Sequence, residues 1–293
     1  MASLLDMRRR IKSVKNTQQI TKAMKMVAAA KLKRAQDRVT AARPYALKMG
    51  EVLGGLSAKV SGEFSHPLLD ARGDENYLIV LVTADKGLCG GFNANLVKAT
   101  STFMKENPEK NSEMVPVGRK GRDYFRNRSV KFVGEYVGLT GQGQVSLADA
   151  RDVSDKIIRT FVDDGEIDKV FLVFTEFKTV LSQKVKIEQL LPIPRIESAE
   201  GEEEAGSEAE YIYEQPPGEI FGKLLPKQVE TQIYRALLES VASEQGSRMT
   251  AMDSATKNAG ELIDTLTLNM NRIRQAGITN EIIEVVSGAA AAS

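Results

Sequence analysis

Two stretches at opposite ends of the chain place apolar residues at a three-then-four step for far longer than a compact domain requires. Leu4, Met7, Ile11 and Val14 begin it, and Ile20, Met24 and Val27 are read as resuming it. Leu32, Ala35, Val39, Ala42, Ala46, Met49, Leu53, Leu56 and Val60 carry it on. Thr17 and Gln18 make the register locally polar. Towards the other end, Ala242, Gln245, Met249, Met252, Thr256, Ala259, Ile263, Leu266, Met270 and Ile273 repeat the step. Such a narrow stripe is the seam of a coiled coil, whereas a globular helix shows a wider one. At the α-helical rise the two segments would extend roughly 80 and 100 Å. The simplest way to bury both seams is to pair them antiparallel. Pro44 is expected to kink the first helix or remove one hydrogen bond. Gly50, Gly54 and Gly55 are expected to weaken its end by about 1 kcal/mol each relative to Ala.

Between these ends the pattern changes. Tyr77–Thr83 is a continuous apolar, β-rich run, as in a strand buried on both faces. Helical stretches are expected over Asn95–Lys105, the GRDYFRN segment and Ser146–Phe161. Strands are expected over Met114–Gly118, Val130–Val137, Lys169–Lys178 and Gln183–Ile193. Alternating strand and helix implies a Rossmann-like α/β domain with a mainly parallel sheet. The fold class is therefore α/β: a long antiparallel coiled coil of terminal helices around a central sheet domain. The expected divisions are 1–60, 70–217 and 218–293, with an acidic solvated loop at 197–210.

The 293 residues carry a formal net charge of +1, which argues against a general polyanion binder. The charge is segregated, however. Residues 1–38 contain eleven Lys/Arg against Asp6 and Asp37, and residues 196–214 contain eight Glu and no base. Such asymmetry suggests different partners at different ends. The basic stretch around Ile20–Gln36 has four readings: membrane-surface helix, transit peptide, nucleic-acid arm or coiled-coil strand. Residues 1–44 contain no aromatic, which disfavours nucleic-acid stacking. Met and Ala replace the bulky apolar face of a membrane helix, and the seam continues past the basic zone. A coil strand with a basic outer face remains, able to dock on an acidic partner.

Enzyme chemistry finds little support. The single Cys (Cys89) and single His (His66) exclude a Cys/His zinc site and offer no Ser-His or Cys-His pair. The ADKGLCGGFNAN loop (Ala84–Asn95) sits where a strand meets a helix, a common phosphate position. It lacks the GxGxxG spacing, and no P-loop occurs anywhere. The loop therefore reads as a glycine-rich turn, and GLTGQGQV (Gly138–Val145) likewise. Asp85 and Lys86 read as a capped turn rather than an acid/base pair, and Cys89 as a small buried hydrophobe. No cofactor, metal or catalytic residue is expected. No apolar run reaches the roughly 20 residues of a membrane span.

Four segments in order carry a family resemblance. RIKSVKNTQQITKAMKMVAAAKL lies near the start and TADKGLCGGFNANL in the middle. ESVASEQGSRMTAMDSATKNAGELI and then ITNEIIEVVSGAAAAS lie near the end. Together they resemble the gamma subunit of F-type ATP synthase, of bacterial type, over essentially the whole chain. The resemblance implies a non-catalytic rotor shaft that couples proton flow to ATP synthesis. It implies alpha and beta subunits of the catalytic hexamer, an epsilon subunit and a c-ring as partners. It also implies a peripheral place on the cytoplasmic face of the bacterial membrane, reached only through the complex. Carried over by position, the coupling contacts fall on Met24, Lys25, Arg248, Arg274, Gln275, Thr279, Glu281 and Glu284. A c-ring foot falls on Tyr211, Tyr213 and Glu214. Periodicity alone leaves Met24 an ordinary seam residue. A free-standing helical scaffold and a nucleotide-binding enzyme are the readings from other classes.

Overall fold

A computed structural model describes residues 4–59, 65–128, 130–141, 145–163, 165–180, 182–194 and 216–292. The acidic segment 197–210, together with Tyr211, Tyr213 and Glu214, lies outside the described residues. Two compact units emerge from the internal contacts: Met1–Ala29 with Arg248–Ser293, and Ala30–Ser247. The division cuts through both long helices, α1 (Leu4–Lys59) and α5 (Pro217–Ala292). Pro44 and the three glycines lie inside α1, and Pro226 lies inside α5.

In the first unit α1 and α5 face each other through one seam, and its middle corrects the sequence reading. Ile20 and Val27 are 59% and 57% exposed. The inward positions are Met7, Ile11, Val14, Gln18, Thr21, Lys25 and Ala28, half-buried or buried throughout. The three-four step never breaks; it runs through three polar residues. Apolar Ile20 and Val27 drew the expected seam onto the outer face. On α5 the matching positions are Met249, Met252, Thr256, Ala259, Ile263, Leu266, Met270 and Ile273, as expected, and all are at least half-buried.

The second unit is built on a five-stranded sheet of order β3-β2-β1-β4-β5. Its strands are β1 (Asn76–Val82), β2 (Asn111–Val117), β3 (Lys131–Phe132), β4 (Lys169–Phe177) and β5 (Gln183–Leu191). All neighbours are parallel except β4 and β5. The expected strand at 130–137 shrinks to two residues, with Tyr136 adding an isolated bridge to Val117. Helices α2 (Phe92–Glu106) and α3 (Arg119–Arg126) bury Phe92, Leu96, Val97 and Phe125 against Ile79, Leu81, Met114 and Val173. Strand alternation turns Leu78, Val80, Val82 and Phe174 to the other face. Crossovers are right-handed, so reversing direction from β3 to β4 carries α4 (Leu147–Asp163) to that second face. The Arg235 guanidinium of α5 lies over the Phe174 ring, at 5.8 Å, on the same side.

Close backbone approach explains one glycine. Gly118, between β2 and α3, has φ +101°, and a Cβ there would run into the Thr83 carbonyl oxygen. Only glycine meets both demands.

Candidate interaction surface of the helical pair

The polar middle of the seam is a connected set of side-chain contacts. Thr21 Oγ1 and Thr256 Oγ1 share a hydrogen bond of 2.8 Å, and Gln18 Nε2 donates to the Thr256 carbonyl at 3.4 Å. One turn on, Lys25 Nζ donates to Asp253 Oδ1 at 2.6 Å, and Lys257 Nζ lies 3.2 Å from the other carboxylate oxygen. The two ammonium groups, Lys25 first, hold Asp253 below the usual carboxylate range. The Lys25 and Asp253 side chains remain 43% and 34% exposed. Lys25 therefore already has a partner inside the pair, and its neighbour Met24 is half-buried beside it. Asp253 as the partner of Lys25, and Thr256 as that of Thr21, were missed. Holding the three-four step strictly through residues 14, 18, 21, 25 and 28 would have found them.

The outer face of α1 is basic. Arg8, Arg9, Arg10, Lys12, Lys15, Lys22, Lys33 and Arg34 are all exposed. On α5, Arg248 is half-buried, whereas Arg274, Gln275, Thr279, Glu281 and Glu284 are exposed. Thr279 Oγ1 donates to the Gln275 carbonyl one turn back, at 3.0 Å. From Ile278 to Ala289 every residue is exposed. Ile278, Ile282, Ile283, Val285 and Val286 show between 49% and 72% of their surface. This tip is apolar and uncovered, and exposed apolar patches of this kind mark interaction sites. Met24, Lys25 and Arg248 thus lie on or beside the paired part, and the other five residues lie towards the tip.

The glycine-rich loop gives a contrasting site. Asp85, at the end of β1, accepts from the Arg119 amide at 3.0 Å, the Gly138 amide at 2.9 Å and the Thr140 hydroxyl at 3.0 Å. Its own carboxylate therefore occupies the anion position that backbone amides near a helix start would offer. Asn93 ties the loop down, its Oδ1 accepting from the Ala84 amide and its Nδ2 donating to Cys89 Sγ. Cys89 is 2% exposed. Asp85 caps the start of α3 and the 138–140 segment, rather than its own turn as expected. Among the described residues no group of three or more His, Cys, Asp or Glu is placed to hold a metal ion.

A family model described as ATP synthase matches residues 3–292. A chain of Solibacter usitatus named ATP synthase gamma chain is 54% identical over 295 residues, covering 100% of both chains. The chain belongs to the ATP synthase gamma chain family. A gamma chain of Desulforamulus reducens is 51% identical, with 99% of each chain covered. Solved structures agree in fold. A chain from the Euglena gracilis mitochondrial ATP synthase matches with a TM-score of 0.68 and 18% identity, covering 98% of this chain and 94% of that one. A chain from the central stalk and c-ring of the Tetrahymena thermophila mitochondrial enzyme gives 0.60 with 26% identity, covering 80% and 99%. As a gamma chain, the protein is one subunit of a larger complex. No described helix of this gamma chain is long and apolar enough to cross a membrane.

Proposed function

We propose that this gamma chain is the central rotor shaft of a rotary ATP synthase. It passes rotation between an ion-driven c-ring and a catalytic hexamer of alpha and beta subunits. The observation that carries this reading is the α5 tip: a single helix whose apolar side chains are uncovered and whose Thr279 bonds back into its own helix, to the Gln275 carbonyl. Such a tip suits a bearing, in which close apolar contact must not lock into one orientation. The solved relative at 26% identity comes from an assembly of central stalk and c-ring, which supports the same role.

In this reading the chain is non-catalytic and does mechanical work on its neighbours. The paired part of α1 and α5 carries torque. The basic face of α1, with Met24 and Lys25 at its edge, meets acidic loops of the beta subunits. Arg248, Arg274, Gln275, Thr279, Glu281 and Glu284 meet the hexamer along α5. The sheet unit, with the segment of Tyr211, Tyr213 and Glu214, faces the c-ring and epsilon. The chain reaches the cytoplasmic face of a bacterial membrane only through these partners. The working divisions are 1–60, 70–217 and 218–293.

Met24→Lys in the reassembled enzyme tests the coupling surface. ATP hydrolysis and ATP-driven proton pumping are measured together. Pumping should fall more than hydrolysis, because the added charge changes the contact and leaves the fold alone. Equal loss of both in a fully assembled complex would remove Met24 from the coupling surface.

A further inference from the structure

Parallel α/β sheets bind ligands outside the carboxyl ends of their strands, at the point where strand order reverses. Here that point lies between β1 and β4, and it is already filled. β1 ends at Val82, and its last pairing to β4 joins Leu81 to Val173. β4 runs on to Phe177. Strand geometry turns the amide and carbonyl of Thr175 and of Phe177 towards the side that β1 has vacated, leaving four backbone groups without a strand partner.

Side chains of the two long helices hydrogen-bond three of them and face the fourth. The Thr175 amide donates to Ser240 Oγ at 3.4 Å, and Ser243 Oγ donates to the Thr175 carbonyl at 3.2 Å. The Phe177 amide faces the Glu239 carboxylate and favours its charged form, against the burial that raises its pKa. Arg43 Nη2 of α1 donates to the Phe177 carbonyl at 3.3 Å. Glu239, Ser240 and Ser243 are 6%, 2% and 0% exposed. Flanking contacts extend the joint to β5. Arg235 Nη2 lies 2.8 Å from Glu188, and Ser247 Oγ donates to Gln183 Oε1 at 2.6 Å. A Cβ on Gly246 would come 2.9 Å from the Gln183 amide nitrogen, so the helix lies close against the strand.

We propose that this filled crevice is the torque joint of the shaft. Glu239, Ser240 and Ser243 act as positioning residues that fix the angular phase of α5 against the sheet. The proposal rests on the rotor reading. An apolar joint of equal area would bind as well, but apolar contact is non-directional. Helix side chains bonded to a strand's own backbone resist both rolling and sliding. The joint also carries a burden that packing alone would avoid: Thr175 Oγ1 and Arg235 Nε are buried without a hydrogen-bond partner. A buried polar network is weak evidence for stability and suits a role in specificity. The same contacts close the crevice to a nucleotide.

The test uses the reassembled complex with Ser240→Ala/Ser243→Ala, and separately with Glu239→Met, which keeps the side-chain length and removes the acceptor. Hydrolysis should stay within about twofold of the unmodified complex, while the proton gradient sustained against back-pressure falls at least about threefold. Gln183→Cys/Ser247→Cys, bridged by a short bis-maleimide in the double-serine background, should restore the gradient, which a general folding defect would not allow. An unchanged gradient in Glu239→Met overturns the proposal. So does a parallel loss of hydrolysis and gradient that the bridge fails to restore. If the serine variant does not assemble, Glu239→Met decides alone by the same gradient reading. If the unmodified complex hydrolyses ATP but never pumps, the rotor reading falls and the joint with it.

Discussion

Thr21 of α1 and Thr256 of α5 meet hydroxyl to hydroxyl at 2.8 Å in the middle of an otherwise apolar seam. Lys25 and Asp253 close the next turn. A polar layer at such positions specifies register at some expense in stability. Thr21→Val/Lys25→Leu/Thr256→Val should therefore keep or raise the melting temperature while loosening the register. Spin labels at the exposed positions Thr17 and Asn258 would read this. The unmodified chain should give one distance, and the triple variant should add populations offset by about 10 Å, the length of one heptad. A single unshifted distance in the variant would refute the role.

Asp85 holds two backbone amides and the Thr140 hydroxyl at once. Asp85→Ala leaves those donors unpaired and should cost about 2–4 kcal/mol. Asp85→Asn keeps an acceptor and should cost less. Urea denaturation of the two variants, side by side, gives the order.

Because Asp85 fills the anion position and Ser240 and Ser243 fill the strand-end crevice, nucleotide should find no site on this chain. Adding magnesium-ATP or inorganic phosphate should leave the melting temperature flat. A ligand bound to the folded chain alone would instead raise it with the logarithm of concentration.

Gly118→Ala should be among the most damaging small substitutions. It meets an adverse φ and a clash with the Thr83 carbonyl together, so a loss above about 3 kcal/mol is expected. Gly50→Ala, whose Cβ would meet nothing within 4 Å, should be neutral to mildly stabilising by helix propensity. Comparing the two by denaturation separates backbone strain from composition.

Tyr77 is raised to about 12, first by burial and then by its hydrogen bond to Asp74 at 2.8 Å. The unfolded phenol ionises near 10, so between about 10 and 12 the folded chain keeps a proton that the unfolded chain has lost. Stability should fall with rising pH across that window. Asp74→Asn removes the negative neighbour, so this tyrosine should titrate at lower pH while staying above the ordinary range because of its burial. Ultraviolet absorbance titration follows it directly. Asp74 itself lies well below its usual range, chiefly through Lys169 and Tyr77. Its contribution is present above its unfolded pKa, near 4, and is lost as pH falls through the depressed folded value.

Much of the fold was legible because local chemistry and tertiary role agreed. The continuous apolar run at Tyr77–Thr83 is buried on both faces, and the strands expected at Lys169–Lys178 and Gln183–Ile193 form β4 and β5. The seam of α5 was read residue by residue from Met249 to Ile273. The seam of α1 was misread at its centre because polar Gln18, Thr21 and Lys25 occupy inward positions while Ile20 and Val27 face out. A strict three-four step marks the positions, but residue type argues against them, since their cross-seam partners lie on a helix more than 200 residues away. The filled crevice was illegible for the same reason. Ser240 and Ser243 look like ordinary helix surface until β4 is seen to outrun β1. The tip residues Arg274 to Glu284 came from family resemblance, and their exposure is the only property the structure adds.

One heptad from Asp253 in either direction along α5 stands a glycine, Gly246 or Gly260. A slipped pair would leave the Lys25 ammonium opposite a residue with no side chain. The polar layer therefore sets an axial length: how far α5 stands proud of the start of α1. The reach of the tip, and so the depth to which Ile278–Val286 can enter whatever receives it, is decided by four side chains, Thr21, Lys25, Asp253 and Thr256, several turns below.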